Sequence, residues 1–258
     1  MKASFVIVSV SDRVDQLNNL IQTIINDRRM DQYEACLLFQ DPQRVASKIT
    51  NVNRLSRVFV VPEKMGCHAA RVELLRRIRY DAYINLDDDI ELTPYTNYPP
   101  AIEKAMEETT GFVLTNWAKT PSLLAAKVPK MKEAFVPQAL VYQGGGMCYR
   151  DEIADLMRSL PLIKQTFDTA WPLTAYINGF TNYRYQGSLA VHRICGTGGM
   201  SAFMSSNPPQ TMMEEYVKYR LAKRRSGTGK DLLIPLDCDL TLLARETHKA
   251  ARIKRFSR

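Results

Sequence analysis

The chain has 258 residues, 45% hydrophobic and 24% charged, with 35 Lys and Arg against 27 Asp and Glu and a formal net charge of +8. That is ordinary globular composition, which excludes a disordered, collagenous or coiled-coil chain. The five cysteines (Cys36, Cys67, Cys148, Cys195, Cys238) are odd in number and form no C-x-x-C pair. They exclude a disulfide framework and a cysteine zinc site, and they fit a reducing cytoplasm. The apolar run Ala3 to Val10 is too short for a signal-peptide core or a membrane span. A cytoplasmic protein without an integral membrane segment is expected.

The first predicted strand is Phe5-Val6-Ile7-Val8, followed by the polar turn Ser11-Asp12-Arg13. Leu17, Leu20, Ile21, Ile24 and Ile25 then recur at helical spacing. Two further short apolar runs, Ala35–Phe39 and Val58–Val61, end at Gln40-Asp41-Pro42 and at Pro62. A helical segment lies between Gly66 and Tyr80, and Ala82–Leu86 runs into Asp87-Asp88-Asp89. Short strands alternating with helices predict an α/β fold, a Rossmann-like, mostly parallel sheet with helices on both faces. Ligands of such sheets sit beyond the carboxyl ends of the strands. Ser11, Asp12, Arg13, Gln40, Asp41 and the acidic triplet are therefore expected to meet at one crevice.

The second half reads differently. Phe112–Thr115 and Ala139–Tyr142 are predicted strands, the second ending in Gly144-Gly145-Gly146. Helices are expected over Asp151–Ser159 and from near Asp168, and a last short strand over Leu189–His192. A smaller, mixed sheet on this side completes the expected architecture.

Adjacent carboxylates repel by about 1–4 kcal/mol per close pair at surface-like dielectric constants. A solvated turn tolerates this; a hard divalent cation, Mg²⁺ or Mn²⁺, relieves it. The stretch Val58–Leu92 resembles the central signature of GT-A glycosyltransferases of the family-2 type. That signature has a strand, an N-x-G-like turn, a helix with an A-R-N-x-G core and a strand ending in D-x-D. Gly66, Ala70, Arg71, Asp87 and Asp89 match it, whereas Val72 stands where the family has Asn.

The resemblance implies that Asp87 and Asp89 hold the metal, with His192 at the end of its strand completing the shell. It implies a nucleotide-sugar site, UDP-glucose above all, at Ser11, Asp12, Arg13, Gln40, Asp41, Gly66, Arg71, Asp88, Gly145 and Gly146. Asp168, in Thr166–Trp171, takes the place of the family's E-D motif, whose second acid is the base of inverting members; the first acid is absent. Plainer roles stand beside these. Asp168 also fits a helix N-cap, His192 a structural histidine, Asp88 a solvated acid, and Trp117 and Trp171 core aromatics. Arg71 fits contact with the donor diphosphate or with the acidic triplet.

Positive charge is concentrated late: residues 214–258 hold twelve Lys and Arg against six acids. The organisation expected is a GT-A domain over 1–213 (nucleotide-sugar half 1–110, acceptor half 111–213) and a basic helical extension over 214–258. Lys218, Arg220, Lys223, Arg224 and Arg225, interleaved with Tyr216 and Tyr219, suit a nucleic-acid backbone. In size and layout the chain resembles phage-type DNA glycosyltransferases associated with TET-class hydroxylases. These glycosylate 5-hydroxymethylpyrimidines, and a phage-encoded enzyme would act in the host cytoplasm. Two alternatives remain open, a cell-envelope glycan transferase and a non-catalytic nucleic-acid-binding module.

Overall fold

The computed structural model describes residues 1–41, 48–138, 145–160, 171–172, 174–176 and 178–193. Strand β1 (Ala3–Val10) leads through a 3-10 turn over Ser11–Arg13 into helix α1 (Val14–Asn26). Strands β2 (Tyr33–Gln40) and β3 (Arg57–Val61) precede helix α2 (Cys67–Arg77), strand β4 (Ala82–Asp87) and the short β5 (Ile90–Glu91). Then come helix α3 (Pro99–Ala105), strand β6 (Thr110–Ala118), helix α4 (Pro121–Lys127) and strand β7 (Phe135–Gln138). Strand β8 (Gly146–Arg150), helix α5 (Asp151–Arg158) and the twelve-residue β9 (Thr181–His192) complete the described elements.

All nine strands share one sheet, in the order β3-β2-β1-β4-β8-β6-β9-β5, with β7 paired to β9. The first four strands are mutually parallel. Beyond them β4–β8 and β8–β6 are antiparallel and β6–β9 is parallel. Strands β6 to β9 thus continue the parallel sheet across the β4–β8 pair, and the expected smaller sheet is not separate from it. Chain order reverses between β1 and β4, which is where open α/β sheets bind ligands. There the register sets Val8 opposite Asp87.

Both faces are covered. Along β1, Phe5 and Ile7 join α1 and α3 in one core, while Val6 and Val8 join α2, α5 and Trp171 in the other. Alternate residues of a strand point to opposite faces, so a strand buried on both sides is an unbroken apolar run. Full burial of each such side chain is worth about 1.5–3 kcal/mol. Leu17, Leu20, Ile21 and Ile24 form the buried stripe of α1, as their spacing predicts, with Ile25 packed at its margin.

Two helices were not among the sequence expectations. Prolines open both: Pro99 for α3, and Pro121 for α4, where Thr120 Oγ1 accepts from the Leu123 N–H. Pro at the first helical position after a Thr cap is a readable start signal. Over its two turns α3 buries only Ala101, Ile102 and Ala105, too short a stripe to stand out, and α4 buries no residue. The last strand is also far longer than Leu189–His192. Its first half (Asn182–Tyr185) pairs with β7 and its end (Val191–His192) with β5. The break in its register against β6, between Tyr185 and Leu189, interrupts the alternation that would have revealed it.

Candidate active site

The acidic triplet begins at the end of β4 and lies against the turn that follows β1. Arg13 ties the two together: its Nη2 is 2.5 Å from Asp89 Oδ2 and 3.1 Å from Asp88 Oδ1. Asp88 is 4% exposed and accepts from Ser9 Oγ at 2.6 Å. Burial is the main reason that its carboxyl is pushed up to about 7, against the opposing pull of Arg13 and Ser9. Asp88 is therefore an internal strut between β1 and β4, which removes the solvated-turn reading.

Asp87 is held from the other side. Arg71 Nη2 lies 2.5 Å from Asp87 Oδ1 and also donates to the Leu86 carbonyl at 3.2 Å. The Arg71 side chain is wholly buried, and its Nη1 is 2.7 Å from Cys67 Sγ, one turn earlier on α2. Arg71 thus contacts the acidic triplet. Two guanidiniums together face the three carboxylates.

His192 arrives from β9, fixed by its backbone pairing with Ile90. Its Nε2 is 3.0 Å from Asp89 Oδ1, yet that buried oxygen makes no hydrogen bond of good geometry. Burial works to raise the Asp89 carboxyl, but His192 and Arg13 more than offset it and hold it below the ordinary value. Asp87, Asp89 and His192 each offer one ligand atom within 4.8 Å of the others. Two hard carboxylate oxygens with one imidazole is a donor set suited to Mn²⁺ or Mg²⁺.

Beside the triplet lies an open cleft lined in part by Ser9, Arg13, Gln40, Lys64, Gly66 and Asp88. Gln40 Oε1 accepts from the Met65 N–H at 2.7 Å, which anchors the loop before α2 to the end of β2. Gly66 adopts φ 84 at the start of α2, a conformation that favours glycine. Lys64 Nζ is 2.8 Å from Asp12 Oδ2 and 3.9 Å from Asp41 Oδ2, and Ser11 Oγ lies 3.3 Å from Asp12 Oδ1. Lys64 thus bridges two of the predicted residues; a lone lysine in a polar loop gave no sign of this.

Gly145 and Gly146 are packed against the chain itself. A Cβ on Gly145 would come within 2.4 Å of the Asn116 carbonyl, and one on Gly146 within 2.8 Å of the Tyr98 ring. Tyr98 also donates to the Gly145 carbonyl at 2.7 Å. At both positions a side chain would collide with the chain itself. Gly144, Asp168, Lys218, Arg220, Lys223, Arg224 and Arg225 lie outside the described residues.

The two tryptophans separate. Trp171 is fully buried and donates from Nε1 to His68 Nδ1 at 3.0 Å, which makes it a core aromatic. Trp117 is half-buried, with its ring edge-on to His192 at 5.0 Å between centroids.

No protein-family profile matches the sequence, and no curated protein is significantly similar to it. Among solved structures, S. aureus TarS 1-349 in complex with UDP-GlcNAc superposes with a TM-score of 0.57 at 15% identity, covering 78% of this chain and 61% of TarS 1-349. GalNAc-T7 with UDP, GalNAc and Mn²⁺ gives 0.58 at 13% identity, over 74% of this chain and 43% of that one. The mannosyltransferase PcManGT from Pyrobaculum calidifontis, with GDP-Man and Mn²⁺, gives 0.56 at 13% identity, over 76% and 58%. The chain therefore spans about three fifths or less of the length of these proteins. At such identities the likeness speaks for architecture, and the chain has the GT-A fold that these glycosyltransferases share.

Proposed function

We propose that the protein is a metal-dependent, inverting glycosyltransferase that moves a sugar from a nucleotide sugar, UDP-glucose, to a hydroxyl acceptor. One observation carries the reading: Asp87, Asp89 and His192 converge, at the topological switch point of a GT-A sheet, beside a cleft lined by Arg13 and Gly66. Structures sharing this fold hold UDP-GlcNAc in TarS and Mn²⁺ with a nucleotide or nucleotide sugar in GalNAc-T7 and PcManGT.

Asp87, Asp89 and His192 would hold Mg²⁺ or Mn²⁺. Such an ion neutralises charge building on the departing UDP. Arg71 and Arg13 aim the two outer carboxylates, and Asp88 fixes the β1 turn against β4 through Ser9. Ser11, Asp12, Gln40, Asp41 and Gly66 form the nucleotide side of the cleft. Asp168, beyond the described residues, is assigned the base that takes the acceptor proton as the hydroxyl attacks the opposite face of the anomeric carbon.

The acceptor we assign is 5-hydroxymethylpyrimidine in DNA, on the strength of the basic cluster at Lys218, Arg220, Lys223, Arg224 and Arg225. The target base would leave the stack to reach the donor. The test is to offer radiolabelled nucleotide sugars with Mn²⁺ and hydroxymethylated DNA and to look for label in the nucleosides. Label in lipid or glycan fractions alone would overturn the DNA acceptor, and no label from any donor would overturn the enzyme reading.

A further inference from the structure

Trp117 and His192 stand on neighbouring strands, and the register between those strands brings their rings together. Thr115 on β6 pairs with Tyr185 on β9, but the next residue, Asn116, pairs with Leu189. Gln186, Gly187 and Ser188 are therefore extra on β9. Side chains alternate with period two, so a bulge of three residues also exchanges the two faces of the strand. Beyond it Trp117 is opposite Ala190. His192 follows Ala190 by two and lies on the same face, as the diagonal neighbour of Trp117, a separation that an aromatic side chain spans. Ala190 offers only a methyl group, which leaves the indole room to lean toward the imidazole. The two rings meet edge-on, 5.0 Å between centroids with 73° between their planes.

Both ends of this contact are anchored. Thr93 Oγ1 donates to the Leu189 carbonyl at 2.7 Å, the Leu189 N–H donates to the Tyr95 carbonyl at 3.0 Å, and the Asn97 N–H donates to Ser188 Oγ at 2.9 Å. Arg29 holds that loop in turn, donating to the carbonyls of Thr93, Pro94 and Thr96 at 3.0, 2.9 and 3.1 Å. On the other strand, Lys127 Nζ donates to the Trp117 carbonyl at 2.6 Å.

His192 needs a guide of this kind. Pairing with Ile90 sets its backbone, but leaves its side-chain torsions open, and the terminal torsion of a histidine is broad. Asp89 Oδ1, 3.0 Å from Nε2, belongs to a second proposed ligand, and an ion shared by the two side chains replaces that contact. The Trp117 ring carries a donor N–H and no metal-ligating atom, so its contact with the imidazole survives when an ion binds. We infer that Trp117 is a positioning residue for the candidate metal site: its ring holds the His192 imidazole with Nε2 toward Asp89 before an ion arrives. The inference rests on the metal reading above and is independent of the acceptor. The rival role for the ring is a shelf for Lys127, whose Nζ is 5.8 Å from its centroid.

The experiment is a double-mutant cycle on the full chain, with Mn²⁺ alone as the probe and the free ion measured by electron paramagnetic resonance. Thermal melting first checks that Trp117→Leu folds; should it fail, Trp117→Met, flexible and of similar reach, takes its place. Trp117→Leu is expected to weaken Mn²⁺ binding roughly three- to tenfold, the scale of one aromatic edge contact. Trp117→Phe keeps an aromatic ring and should recover most of that loss. In a His192→Ala background Trp117→Leu should cost nothing more, because the group through which it acts is gone. Wild-type Mn²⁺ affinity in a folded Trp117→Leu overturns the inference. The same loss with and without His192 also overturns it, leaving the ring a shelf for Lys127. Both outcomes leave the metal site standing. A wild-type chain that binds no Mn²⁺, or a His192→Ala variant that binds it as tightly as wild type, overturns the metal reading and the inference with it.

Discussion

Arg13 and Asp89 are 76 residues apart in the chain, yet the guanidinium lies 2.5 Å from the carboxylate across the β1–β4 junction. The Arg13 side chain is 16% exposed and that of Asp89 is 8% exposed. The pair does two things together. It closes the turn after β1 onto the end of β4, and it keeps Asp89 ionised in a site where burial would favour the neutral acid.

Removing the guanidinium should therefore uncover its role. Arg13→Leu leaves Asp88 and Asp89 buried without their cation, at a cost of about 3–5 kcal/mol. Mn²⁺ binding among the same carboxylates should restore part of that loss. Denaturant unfolding with and without Mn²⁺ is expected to show a larger metal-induced gain in the variant than in the wild type. Equal gains in both would mean that the ion binds elsewhere.

Asp89→Ala removes a proposed ligand and leaves Arg13 its second partner, Asp88, at 3.1 Å. The fold should survive, while Mn²⁺-dependent UDP binding and transfer both disappear. Calorimetry of UDP binding, run with Mn²⁺ and with chelator, checks this. A variant with wild-type, metal-dependent UDP affinity would sink the ligand assignment.

Asp88 gives a pH test whose sign is fixed. Its folded-state carboxyl titrates near 7, above the ordinary value of 3.8. Between those two values the native state holds a proton that the unfolded state has lost. The contribution is therefore fully present below about pH 4, fades as pH rises, and is gone above 7. Asp88→Asn keeps an acceptor for Ser9 and does not titrate. Relative to wild type it should gain on the order of 1–4 kcal/mol between pH 4 and pH 8. Parallel stability–pH curves for the two proteins would rule this out.

The glycines give a packing test. Gly145→Ala meets a backbone carbonyl at 2.4 Å, and Gly146→Ala meets the fully buried ring of Tyr98 at 2.8 Å from a positive φ of 158. Overpacking costs about 1–3 kcal/mol, and both variants should sit at or beyond the upper end. Chemical denaturation of the two variants decides the matter, and wild-type stability in either would refute the packing.

The parts of this fold visible in the sequence are those whose signal is local. Val6 and Val8 on one face and Phe5 and Ile7 on the other make β1 an apolar run, and the run ends at the site. The triplet Asp87-Asp88-Asp89 marks the end of β4 without help from other elements. The pairings that give the site its character were hidden because they are long-range: Ser9 with Asp88, Arg71 with Asp87, and Lys64 with both Asp12 and Asp41. Each partner alone is an ordinary polar residue near a turn. Gly145 and Gly146 carry a mixed signal for a related reason. A glycine reports that space is short but does not say whether a ligand or Tyr98 occupies it.

Asp168 is the assignment that rests most on sequence, and its test separates the two roles open to it. As a helix cap it needs only a side-chain oxygen that accepts a hydrogen bond, which Asn supplies equally well. As the base it needs a carboxylate, which Asn lacks. Asp168→Asn should therefore melt with the wild type and bind UDP with Mn²⁺ as tightly, while turnover falls by roughly 10²–10⁴. Asp168→Ala should add a loss of about 1 kcal/mol if the side chain also caps the helix. The pH profile adds a second readout, because the rise in rate with pH that reports a free carboxylate base should vanish in Asp168→Asn. Wild-type turnover in Asp168→Asn, together with a destabilised Asp168→Ala, would leave Asp168 a cap and send the search for the base to another acid.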